Sequence, residues 1–87
     1  MKRIKVTVVS QRGECIKNHT KGDTCYINSE GVEGRICIHS LYSLLPKAFA
    51  MLYDAEFPWL KEGEPVTHAC PDAFNPVIFS LEKEERP

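Results

Sequence analysis

Ser43-Leu44-Leu45-Pro46-Lys47-Ala48-Phe49-Ala50-Met51-Leu52-Tyr53-Asp54 is the stretch on which the fold turns. Leu44, Leu45, Ala48, Phe49, Met51, Leu52 and the following Ala55 fall at spacings of three and four, which predicts a helix with an apolar stripe. Pro46 would remove an intrahelical hydrogen bond if the helix began near Ser40. Placing Ser43 at the N-cap puts the proline in the first turn, where its missing N–H costs nothing. Pro58 then stops the helix from the other side, because the residue before a proline is pushed away from helical geometry.

The stripe has to be covered, and the cover comes from alternating segments elsewhere. Ile4, Val6 and Val8 alternate with Lys5 and Thr7 in a half-buried strand over residues 3–10. A short strand over 23–28 turns Cys25 and Ile27 to one face. Asn28-Ser29-Glu30-Gly31 reads as a turn, and Ile36-Cys37-Ile38 as a strand stub or the lead into the helix. Val66 to Cys70 reads as a third main strand. Val77, Phe79 and Leu81 alternate inward in a fourth over 77–82, and Pro71 to Pro76 forms the hairpin loop between them. The tail from Lys83 onward is polar and expected to fray. The expected fold class is α+β, a small, mainly antiparallel curved sheet of about four strands packed on one central helix.

Eighty-seven residues make a single domain, residues 1–87, because a chain this short buries only about 60–65% of its unfolded surface and supports one core. Leftover apolar surface makes a homo-oligomer a natural expectation. Eleven basic residues against twelve acidic ones, a net charge of −1, give no electrostatic reason to bind nucleic acid or an anionic membrane. The basic residues gather near the start and Glu82, Glu84 and Glu85 near the end, so terminal strands lying side by side would pair them. No apolar run is long enough for a membrane span and no signal region opens the chain, so a cytoplasmic location is expected. There, Cys15, Cys25, Cys37 and Cys70 are expected to be thiols.

Those thiols raise the question of chemistry. Cys15, His19, Cys37 and Cys70 match the four donors of a tetrahedral zinc or iron site, although the paired Cys-x-x-Cys knuckle of structural zinc sites is missing. His68 and Cys70 share a strand face, with Asp72 just beyond, and form a further candidate group. The plainer reading is packing: Cys25 on a strand face and Cys37 between two isoleucines read as small core hydrophobes. Cys15 lies in a polar, aperiodic stretch with Lys17 and His19, where a thiol can be reactive. An enzyme of this size would use Cys15 or Cys70 as nucleophile with His19 or His68 as base, at a site completed by a subunit interface. A third reading is an interaction or oligomerisation module whose apolar patch comprises Phe57, Trp59, Leu60 and Phe74.

The opening strand, Cys15, Gly22-Asp23, Cys37 ahead of the helix, Phe57-Pro58-Trp59, Cys70-Pro71-Asp72 and Asn75-Pro76-Val77-Ile78-Phe79 occur in one order along nearly the whole chain. In this the sequence resembles a family of uncharacterised proteins of about this length, met in anaerobic bacteria and archaea. The resemblance implies an anaerobic setting and singles out Cys15, Cys37 and Cys70 over Cys25. Where family members carry a proline and a tryptophan after the central cysteine, this chain has Ile38-His39-Ser40.

Overall fold

The computed structural model describes residues 2–13, 20–61 and 63–85. In chain order these form β1 (Lys2–Gln11), β2 (Thr24–Asn28), β3 (Gly31–Glu33), α1 (Ile38–Leu52), β4 (Val66–Ala69) and β5 (Val77–Glu85). The strands make one antiparallel sheet in the order β3-β2-β1-β5-β4. The fold is thus α+β, with one helix on one face of a five-stranded open sheet. The first and last of these strands, β1 and β5, lie side by side within it.

Alternation decides which face is buried. Ile4, Val6 and Val8 of β1 pair across with Ile27 and Cys25 on one side and with Leu81 and Phe79 on the other. All are at most 3% exposed and point at α1. At about 25 cal/mol per Å² of apolar surface, this two-layer core supplies most of the stabilisation available to a domain of this size. A bulge between Val8 and Ser10 turns Val9 out to solvent while Val8 and Gln11 keep the inward phase. On the open face, Lys5 opposes Glu82 and Arg3 opposes Glu84. Arg3 Nε donates to Glu84 Oε1 at 2.8 Å, with its guanidinium 3.8 Å above the Tyr26 ring. The clustered terminal charges are therefore cross-strand partners, as their placement in sequence suggested, and β5 remains paired through Glu85 where fraying was expected.

The helix departs from expectation at its start. It begins at Ile38 with Cys37 as N-cap, and Pro46 lies inside it. The carbonyl that loses its donor to Pro46 is that of Tyr42, a residue 83% exposed on the side of the helix away from the core. The far end closes in a Schellman motif: Asp54 N–H donates to Met51 O and Ala55 N–H to Ala50 O, with Asp54 at φ 66°. Lys2 and Lys83 hold the Asp54 carboxylate and offset its unfavourable place at a helix C-terminus.

The expected apolar stripe also divides in two. Leu44, Ala48, Met51 and Leu52 are buried against the sheet, whereas Leu45 and Phe49 are exposed and Ala55 lies beyond the helix. At 100° per residue Leu45 and Phe49 sit well round the helix from Leu44 and Ala48. Spacings of three and four had joined two faces into one.

Candidate functional site

Cys70 follows the last residue of β4 and opens the loop that returns to β5. Its N–H donates to Val77 O at 2.9 Å and its Sγ accepts the Val77 N–H at 3.2 Å, so the base of the loop is closed by the cysteine itself. Asp72 winds the loop: Oδ1 accepts the N–H groups of Phe74 and Asn75 at 3.0 and 3.1 Å, and Oδ2 accepts Asn75 Nδ2 at 3.1 Å. The side-chain bond from Asn75, followed by the two backbone bonds, holds its pKa below the ordinary carboxylate value.

The other wall comes from the lead into α1. Gly34 turns the chain at φ 101° after β3, Ile36 packs on the core, and Cys37 arrives at the N-cap. Among the described residues, no side-chain hydrogen bond caps this helix end, and its first turn holds no acidic residue. The partial positive charge of the helix N-terminus therefore faces outward, where it favours negative charge on whatever binds beside it. Cys37, His39 and Ser40 from this side and Cys70, Pro71, Asp72 and Asn75 from the loop line one cleft of about 260 Å³.

The expected residues separate accordingly. Cys37, Cys70 and Asp72 are brought together, and Cys37 is half-buried at the cleft rather than packed in the core, because its isoleucine neighbours diverge: Ile36 turns inward and Ile38 is 68% exposed. Cys15 and His19 lie outside the described residues. Cys25 is a core residue, 3% exposed, and burial pushes its thiol pKa up to about 11. His68 stands on the inward face of β4 opposite Phe79, with Nε2 3.0 Å from Ser43 Oγ, which itself donates to Ser40 O. It ties β4 to α1 beside the cleft without lining it, and burial together with Lys47 lowers its pKa. His39, two residues from Cys37 and a candidate donor beside it, also lines the cleft, and Asn75 joins the site without having been singled out. Among the described residues, no group of three or more His, Cys, Asp or Glu is arranged to hold a metal ion.

The residues expected to form an apolar interface do not make one patch. Phe57 and Leu60 line a separate cleft at the C-terminal end of α1 with Met51 and Val66, and Phe57 stacks on the exposed Trp59 at 5.1 Å. Phe74, 91% exposed, projects from the loop at the other end of the helix. Among the described residues, no helix is long and apolar enough to cross a membrane. No family model, curated protein or solved structure matches the chain.

Proposed function

We propose that the protein is a thiol protein whose working site is the cleft at the start of α1, where Cys37 and Cys70 together take up a thiophilic ligand, a soft metal ion or a sulfur-bearing group. One observation carries this reading: two cysteines remote in sequence, one on the helix cap and one on the β4–β5 loop, line the same cleft while Cys25 is sealed in the core. His39 supplies an imidazole able to take a proton from a thiol as it engages a ligand. The helix N-terminus favours the negative charge that a thiolate complex carries. Zinc or iron with Cys15 and His19 as further donors is the fuller form of the same proposal.

A trivalent arsenical such as phenylarsine oxide tests it, because stable capture requires two thiols within reach of one arsenic atom. The expected result is one arsenical per chain, held by wild type and Cys15→Ser and lost in both Cys37→Ser and Cys70→Ser. Retention in either of the last two variants, or no capture by folded wild type, overturns the reading.

A further inference from the structure

The uncovered face of α1 carries more apolar surface than its burial in the core explains. Ile38, Tyr42, Leu45, Phe49 and Tyr53 are 68, 83, 41, 60 and 65% exposed. At 100° per residue they fall within one narrow arc of the helix. The spacing of four, three and four over Ile38, Tyr42, Leu45 and Phe49 is that of a coiled-coil seam, and Tyr53 at the C-cap extends it beyond a helix about 22 Å long. Phe49 and Tyr53 already pack together, ring centroids 5.0 Å apart, so part of the surface is set before anything binds. Tyr42, Leu45, Pro46 and Phe49 form a shallow groove at its middle.

Two properties of this face select its occupant. Among the described residues it carries no charge: His39 is turned to the cleft at the helix start, and Lys47 donates to Thr67 O at the sheet edge. A partner chosen by charge would find nothing to read. The pattern is also palindromic. Ile38 and Tyr53, Tyr42 and Phe49, and Leu45 and Pro46 are each symmetric about the midpoint between Leu45 and Pro46. A two-fold axis through that midpoint sets Tyr42 of each copy against Phe49 of the other and Ile38 against Tyr53, with the Leu45–Pro46 step meeting its own image. Self-matching of this kind is what an isologous interface requires.

From this palindrome we infer that the outer face of α1 binds a second copy of this chain, the two helices antiparallel. The area is of the right order. Three aromatic side chains of about 200 Å² each, at these exposures, contribute about 400 Å². Ile38 and Leu45 bring the stripe to roughly 500 Å² per partner, below the about 800 Å² of a standard interface and at the small end where association is weak and reversible. Tyr42 against Phe49, made twice, sets two aromatic contacts either side of the axis, where hot spots concentrate.

Sedimentation equilibrium from low micromolar to near-millimolar chain, under reducing conditions that exclude cysteine cross-links, tests the inference. Wild type is expected near 20 kDa, twice the 9.9 kDa chain, falling toward 9.9 kDa on dilution. Tyr42→Lys and Phe49→Glu should each hold the mass at 9.9 kDa with an unchanged circular dichroism spectrum. The double variant Tyr42→Lys/Phe49→Glu should dimerise again, since each introduced lysine faces the introduced glutamate of the other copy. A wild-type monomer at the highest concentration overturns the proposal and leaves the face to a different protein. A dimer that both single variants leave intact, or a double variant that stays monomeric, overturns it equally.

Discussion

Gly34→Ala perturbs the one hinge that delivers Cys37 to its cleft, and its cost follows from two separable features. Gly34 has φ 101°, a backbone conformation that residues with a Cβ adopt only under strain. That strain costs about 1–2 kcal/mol. The smaller unfolded-state entropy of alanine returns about 0.4–1 kcal/mol. An added Cβ would also stand 3.1 Å from Cys25 Cβ and 3.2 Å from Cys25 Cα, inside the 3.5–4.0 Å optimum for carbon pairs. Both atoms belong to β2, which is paired on either side, so neither yields easily; overpacking of this kind costs about 1–3 kcal/mol. Gly22 provides the control, because its φ is 97° but a Cβ there meets nothing within 4 Å. Gly22→Ala should therefore cost about 1 kcal/mol and Gly34→Ala about 2–3 kcal/mol. At about 4–8 °C per kcal/mol for a domain of this size, the losses in Tm are roughly 4–8 °C and 10–20 °C. Thermal and urea unfolding followed by circular dichroism measure both. Equal losses in the two variants would refute the claim that Gly34 is held by its contact with Cys25, and a fully stable Gly34→Ala would refute the argument from φ as well.

Two further perturbations probe the elements around the cleft. His68 has its pKa lowered below 6.5, first by burial and then by Lys47. Its contribution to stability is therefore fully present above 6.5 and is lost as pH falls through the folded-state pKa. His68→Gln should flatten the rise of Tm over that window, and a slope identical to wild type would refute the assignment. Asp72→Ala removes the acceptor that winds the β4–β5 loop, and should lower Tm by a few degrees and speed alkylation of Cys70. Asp72→Asn, which keeps one amide oxygen for the two backbone donors, should lose less. Because the Asp72 pKa is depressed from 3.8, the wild-type advantage over Asp72→Asn should fade as pH falls through the folded-state value, and an advantage unchanged in acid would count against the turn as the cause.

Much of the sheet was legible because period-two alternation in β1 and β5 reports burial directly, and the terminal charges announced the pairing of those two strands. β3 was not, since three exposed residues carry no period at all. The helix start was misplaced because Pro46 is tolerated beyond the first turn, and only the fold reveals that the carbonyl it leaves without a donor belongs to the exposed Tyr42. Of the cleft, the Cys70–Asp72 loop could be seen in its turn chemistry. Cys37 was expected as a donor alongside Cys70, but its place at the cleft rather than in the core could not be read, because flanking isoleucines look the same whether a cysteine enters a core or caps a helix. Its meeting with Cys70 is long-range, and local pattern carries no information about it.

The central place of the β1–β5 pair also governs when this domain can form. β1 finds its main partner only when β5 has been made, with every other described element in between. Until then β1 can pair with β2 alone, α1 has half a sheet beneath it, and β4 has no neighbour among the described strands. A truncation that removes β5 should therefore behave as an unfolded chain rather than a weakened domain. Closing the longest loop first demanded by such a topology slows folding, and the apolar face of α1 stays open throughout that delay, so nascent or truncated chains are the forms most exposed to aggregation.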